Sequence, residues 1–157
     1  MIVEISTYHS EVLINERFER FTVLITKISR NIRKIKNKEM ADYDLRSPHV
    51  SCLYYLHVSE SLTATDLCER CEEDKATISR SIDFLEKNGY LVCQSAKAKR
   101  YKAPLVLTEK GEAAGKRIAD KVKGVLDEID DEMTADEREN FYKCLSVISD
   151  SLEALAT

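Results

Sequence analysis

The sequence predicts a mainly α-helical chain with one small β-hairpin, and three observations carry that prediction. Apolar residues recur at helical spacing over long stretches at both ends of the chain. Helix-starting signals, a Thr with an acid three residues on or a lone Asp, precede the later helices. Two short β-prone runs flank a polar, basic stretch of hairpin length. The supply of turn formers agrees: 4 Gly and 2 Pro among 157 residues are too few for a turn-dense all-β fold. A chain of this length suits one domain, or one small core with extensions.

The first long element carries Phe18, Phe21, Ile25, Ile28, Ile32 and Ile35. Their alternating steps of three and four make a helix with a narrow, coiled-coil-like seam. Ser47-Pro48 then reads as an N-cap followed by Pro at the first helical position, with Val50, Leu53, Tyr54 and His57 on the short helix behind. Thr63-Ala-Thr-Asp66 is a capping box for a helix that turns Leu67, Cys68 and Cys71 inward. Asp74 caps the next helix, where Ile78, Ile82 and Leu85 face the core and Asn88-Gly89 ends it. These two short helices lie at helix-turn-helix spacing.

Tyr90-Leu-Val-Cys-Gln94 and Leu105-Val-Leu107 pair as a β-hairpin, and Pro104 confines its strand to an edge or a bulge. Lys97, Lys99, Arg100 and Lys102 crowd the hairpin tip, with Tyr101 interleaved. Thr108 caps a helix carrying Ile118, Val122, Val125, Leu126 and Ile129; Thr134-Ala-Asp-Glu137 caps a last one carrying Phe141, Leu145, Ile148, Leu152 and Leu155.

This order is a winged helix-turn-helix flanked by long N- and C-terminal helices. The division expected is 1–45 for an N-terminal arm and long helix, 46–107 for the winged module, and 108–157 for the C-terminal helices. A winged module of this size cannot bury three long apolar seams. Phe18, Phe21 and Ile25 of the first helix, with Phe141, Leu145, Ile148 and Leu152 of the last, are therefore expected to meet a second copy of the chain. The competing reading is a monomer whose seams pack on one another.

A formal net charge of −4 argues, taken alone, against a nucleic-acid partner. Its distribution reverses that reading. Residues 20–38 hold seven Lys/Arg and no acid, residues 75–110 hold eight bases against three acids, and residues 127–139 hold eight acids against Arg138 alone. One basic face and one acidic end follow. On the helix after Asp74, the face opposite the core shows Lys75, Ala76, Thr77, Ser79, Arg80 and Asp83. A helix entering the major groove needs small residues for close approach, hydroxyls for base edges or phosphates, and Arg for bidentate contact. The basic hairpin suits a phosphate backbone or a minor groove, although Lys at a hairpin also blocks edge pairing. The expected DNA contacts are thus Lys75, Thr77, Ser79 and Arg80 on the helix, and Lys97, Lys99, Arg100 and Lys102 on the wing. Glu72 and Glu73 run against this reading and are predicted to point away from DNA.

Cys52, Cys68, Cys71, Cys93 and Cys144 are an odd set without a secretory signal, which argues for reduced thiols in a cytoplasm. Cys68-Glu-Arg-Cys71 could serve as a thiol switch or half a zinc site, but zinc needs two more ligands and no second such pair exists. Buried small hydrophobes is the simpler reading, and no metal or cofactor is expected. His49 and His57, with Tyr43 and Tyr54, read as half-buried packing residues. No run is apolar enough to span a membrane. No Gly-rich phosphate loop, nucleophile motif or paired carboxylates suggest an enzyme.

Leu62-Thr-Ala-Thr-Asp-Leu-Cys-Glu-Arg-Cys71, Asp74 through Leu91 and Leu107-Thr-Glu-Lys-Gly111 together resemble the MarR family of bacterial transcription regulators, over about residues 12–155. The resemblance implies a homodimer, its base built from the terminal helices. It implies two winged lobes on a pseudo-palindromic double-stranded DNA operator, and a small-molecule effector or an oxidation event that releases DNA. It also implies that Arg100 is the wing arginine. One departure is visible: Ala98 stands where the family has the Asp that orients that Arg. Weaker dependence on Arg100 than on Arg80 is expected. The function expected is a ligand-responsive, sequence-specific repressor. The alternatives are a thiol-redox or metal sensor using Cys68 and Cys71, and a winged-helix protein-interaction module without DNA binding.

Overall fold

The computed structural model describes residues 2–40, 43–93 and 103–156. Among them lie six helices and one hairpin: α1 (Ile2–Glu39), α2 (Ser47–Val58), α3 (Ala64–Cys71), α4 (Lys75–Lys87), β1 (Leu91–Cys93), β2 (Leu105–Leu107), α5 (Glu109–Asp130) and α6 (Ala135–Ala156). The mainly α architecture with a small antiparallel hairpin is the one the sequence predicts.

The helix ends follow local chemistry. The Thr63 hydroxyl and N–H both donate to Asp66 Oδ2 at 2.7 Å, and Asp66 N–H donates back to Thr63 Oγ1 at 3.3 Å. Asp74 accepts from Thr77 N–H at 2.8 Å. Thr134 and Glu137 repeat the reciprocal box before α6. Each satisfies N-terminal donors that a helix leaves open.

The start of α2 differs by one residue from the sequence reading. Arg46, not Ser47, is the N-cap, so Pro48 sits at the second helical position. Two acceptors from elsewhere replace a Ser47 cap: Asn37 Oδ1 takes Ser47 N–H at 2.8 Å, and His49 Nδ1 takes Arg46 N–H at 3.2 Å. The first of these comes from the end of α1, ten residues away.

The core sits where α2, α4, the hairpin and the first third of α5 converge. Leu53, Leu67, Ile78, Leu85 and Leu91 are its most buried large residues, joined by Met40 from the end of α1. Leu91 pairs with Leu107, Val92 with Val106 and Cys93 with Leu105. Both hairpin strands are edges, as Pro104 requires, and Leu105 N–H donates to the Leu62 carbonyl at 2.9 Å. Ala114 and Ile118 of α5 enter the same core, so that helix is rooted in the winged module.

Two glycines allow that root. A Cβ on Gly111 would overlap the Tyr90 carbonyl, and one on Gly115 would lie 2.6 Å from His57 Cβ. Side chains there would hold α5 off the hairpin base and α2.

By contrast, α6 buries no residue at all. Along α1, Phe18 is 70% exposed and Ile25, Ile28, Ile32 and Ile35 are all exposed too. The two long seams therefore stand open.

Candidate nucleic-acid interface

The α3–α4 pair makes the helix-turn-helix. α3 closes at Glu72, whose backbone is left-handed (φ 52°) and whose N–H returns to the Cys68 carbonyl. Glu73 N–H donates to the same carbonyl at 3.2 Å. Glu72 and Glu73 line a depression against α1 together with Arg33 and Lys36, and no residue of α4 shares it. That is the orientation away from the α4 face that the sequence reading requires of them.

α4 turns Ile78, Ile82 and Leu85 into the core and leaves Lys75, Ala76, Arg80 and Asp83 exposed, with Thr77 and Ser79 half-exposed between them. The expected face is thus assembled on one side of one helix. Thr77 has a further role that its residue type did not disclose. Its hydroxyl donates to Asp74 Oδ2 at 2.8 Å and accepts from Arg80 Nη2 at 3.1 Å. Asp74, Thr77 and Arg80 form a chain that sets the direction of the Arg80 guanidinium. The hydrogen bonds from Thr77 hold the Asp74 carboxyl below its ordinary value, so it stays ionised at the cap.

Ser81 was not foreseen. It is buried, and its hydroxyl donates to the Thr77 carbonyl at 2.8 Å. A small back-bonding residue there lets α4 lie close to the core without an orphan hydroxyl.

The wing's base is tied from both sides. Thr108 Oγ1 donates to the Gly89 carbonyl at 2.7 Å, while Lys110 Nζ donates to the Asn88 carbonyl at 2.8 Å and lies 4.1 Å from the Tyr90 ring centre. With Gly111 against the Tyr90 carbonyl, the segments Asn88-Gly-Tyr90 and Thr108-Glu-Lys-Gly111 lock into one joint. This joint is the physical reason those two motifs occur together. Lys97, Ala98, Lys99, Arg100 and Lys102 lie outside the described residues.

The other expected site residues lie where a second chain could meet them. An open groove of about 450 Å³ runs between α1 and α6, lined by Phe18, Phe21, Val147, Ile148 and Leu152. Phe141 and Leu145 border a second depression with Ile25 and Ile28. A half-open apolar cavity of about 260 Å³ lies between α1, α2 and α5, lined by Ile32, Met40, Val50, Ile118 and Val122, and also by Lys36 and Lys121.

None of Tyr43, His49, Tyr54 and His57 lines that cavity. His49 stacks on Phe84 at 4.2 Å, and burial, then Arg46, holds its imidazole below the ordinary value. His57 Nδ1 lies 2.8 Å from Glu112 Oε2, and the Tyr43 hydroxyl accepts from Arg117 at 2.8 Å. They are packing and bridging residues.

The cysteines also fall out differently. Cys68 and Cys71 are only half-buried, whereas Cys52 is fully buried. Among the described residues, no group of three His, Cys, Asp or Glu side chains could hold a metal.

Residues 43–100, from the start of the helix-turn-helix region into the wing, match the model of the MarR family. That region is similar to MarR-family transcription regulators. An HTH-type transcriptional regulator of Bacillus cereus is 25% identical over 126 residues, which are 79% of this chain and 83% of that one. The fold matches the MepR–DNA complex of Staphylococcus aureus with a TM-score of 0.75 at 16% identity, over 84% of this chain and 97% of that one. It matches S. aureus MarR in complex with salicylate and kanamycin with a TM-score of 0.74 at 14% identity, over 87% and 92% of the two chains. Among the described residues, no helix is long and apolar enough to cross a membrane.

Proposed function

We propose that this chain is a MarR-type regulator, a homodimer that binds a pseudo-palindromic double-stranded DNA operator in the cytoplasm. The observation that carries the reading is the α4 face: Lys75, Thr77, Ser79 and Arg80 on one open side, with Asp74 and Thr77 fixing Arg80. Arg80 and Thr77 are the residues proposed to read base edges, and Lys75 and Ser79 to meet phosphate. Lys97, Lys99, Arg100 and Lys102 of the wing are proposed to track the adjacent backbone.

Dimerisation is proposed through α1 and α6, the seams of Phe18, Phe21, Ile25, Phe141, Leu145, Ile148 and Leu152. Contiguous apolar faces of this length are rarely left in water by a lone soluble chain. A symmetric pair would set two α4 helices about 34 Å apart, one turn of DNA.

The apolar cavity between α1, α2 and α5 supports a ligand-responsive regulator. It joins the arm that would hold the dimer to the module that would hold DNA, and the lysines that line it suit a small aromatic acid. Salicylate, bound by the S. aureus relative, is the first probe.

Selection of bound fragments from random double-stranded DNA by the purified chain tests the reading. An enriched palindrome with half-sites one turn apart is expected. Recovery of no enriched sequence at low salt would overturn it.

A further inference from the structure

One residue on the α4 face is held at every polar atom it has. Asp74 Oδ1 accepts the Thr77 backbone N–H at 2.8 Å, and that bond alone caps the helix. The Thr77 hydroxyl is additional to the cap: it donates to Asp74 Oδ2 at 2.8 Å. The same oxygen accepts from Arg80 Nη2 at 3.1 Å. The Thr77 carbonyl accepts from the buried Ser81 hydroxyl at 2.8 Å. A helix start requires none of the last three.

These bonds leave each side chain a definite remainder. A threonine hydroxyl has one hydrogen to donate, and Asp74 holds it. Thr77 therefore has none for the acceptors that guanine, adenine and thymine present in the major groove. What it still offers a base edge is its methyl group. A guanidinium carries five N–H donors in one plane, and Thr77 takes one of those on Arg80. Enough remain for a two-bond fork, and the anchored Nη2 fixes the plane in which that fork lies. Such a fork matches guanine O6 and N7, and a threonine methyl matches the thymine C5 methyl. Thr77 and Arg80 are three residues apart, about 4.5 Å along the helix axis. A base pair occupies about 3.4 Å of duplex, so the two groups reach neighbouring base pairs.

We propose that Arg80 reads a guanine in each half-site, and that Thr77, itself anchored by Asp74, is the positioning residue that aims it. The Thr77 methyl reads a thymine on the adjacent base pair. This assignment rests on the DNA-binding reading and goes beyond it, to the bases chosen. It splits Thr77 into two separable parts, the hydroxyl serving guanine and the methyl serving thymine.

The test uses the full chain and the operator that it selects. Thr77→Val keeps a methyl and loses the hydroxyl; Thr77→Ser keeps the hydroxyl and loses the methyl. Neither removes the backbone N–H that caps on Asp74, so both variants should retain their helix content and thermal melts. Anisotropy titrations compare three duplexes: the operator, one with the guanine replaced by adenine, and one with the thymine replaced by deoxyuridine, which lacks only the C5 methyl. Per half-site, the wild-type chain should prefer guanine by about tenfold or more. It should prefer thymine over deoxyuridine by about fourfold. Thr77→Val should lose most of the guanine preference and keep the thymine preference, and Thr77→Ser should do the reverse. Arg80→Ala should lose the guanine preference, and adding Thr77→Val to it should remove no more.

Three results would overturn the assignment while the DNA-binding reading stands. They are a selected half-site without adjacent guanine and thymine, a Thr77→Val chain with full guanine preference, and a Thr77→Ser chain that still penalises deoxyuridine. A wild-type chain that enriches no sequence overturns the DNA-binding reading and the assignment with it.

Discussion

Truncating Leu145 and Leu152 together to Ala should split the dimer while leaving each protomer folded. In the single chain these side chains are 37% and 52% exposed, so close to half of each remains to be buried by a partner. Full burial of a leucine is worth about 2 kcal/mol, and half of that is about 1 kcal/mol per side chain. In a two-fold dimer each substitution counts twice. The double variant therefore loses about 4 kcal/mol of association, or about a thousandfold in dimer Kd. Sedimentation velocity over a dilution series reads this directly. Circular dichroism should show retained helix, because α6 buries no residue against the winged module. An unchanged dissociation constant, or a wild-type chain that sediments as a monomer at micromolar concentration, would refute the reasoning.

Four further outcomes are expected. Gly111→Ala pushes a Cβ into the Tyr90 carbonyl and should destabilise the chain by about 1–3 kcal/mol in urea unfolding, as overpacked sites do; full wild-type stability would contradict the joint at the wing base. Asp66, Asp74 and Glu137 are each held below their ordinary values by backbone and hydroxyl hydrogen bonds. Their folded-state pKa values are depressed, so the stability they add is present above the unfolded carboxylate range, about pH 4, and is lost as pH falls through the folded values. Asp74→Asn should flatten that acid limb in thermal melts across pH. His49 is lowered from 6.5, so the unfolded chain takes its proton first and stability should begin to decline as pH drops below about 6.5; His49→Gln should remove that shallow first limb and leave the deeper one. Finally, Arg80→Ala should weaken operator binding more than Arg100→Ala, since Ala98 stands where the family resemblance expects an acid to orient Arg100; equal losses in an anisotropy titration would contradict that ranking.

The helices were legible because their determinants are local. A seam stepping by three and four, or a Thr facing an Asp or Glu three residues on, specifies an element and its end without help from distant residues. The α4 face followed from the same logic, since Ile78, Ile82 and Leu85 fix which side is left outside. What escaped was what other segments supply. The Ser47 N–H that opens α2 is taken by Asn37 Oδ1, ten residues upstream. Met40 and Leu45, assigned with 1–45 to the N-terminal arm and long helix, belong to the buried core cluster. Cys68 and Cys71 read as buried small residues, yet both are only half-buried. Thr77 read as a groove hydroxyl, yet its hydrogen bonds to Asp74 and Arg80 make it the hinge pin of the face. Lys110 and Gly111 read as family motif letters, and their purpose emerges only where they meet Asn88 and Tyr90.

The claim on which the account depends is that an acidic chain binds DNA through a segregated basic face. The direct measurement is operator affinity of the wild-type chain as a function of salt. Several phosphate contacts per dimer predict a steep linear fall of log affinity with log salt, about three to five decades between 50 and 200 mM for six to ten contacts. Arg80→Ala should weaken binding and lower sequence preference, while removal of a wing lysine should reduce the slope by about one. A flat salt dependence, or equal affinity for operator and unrelated DNA, would contradict the account.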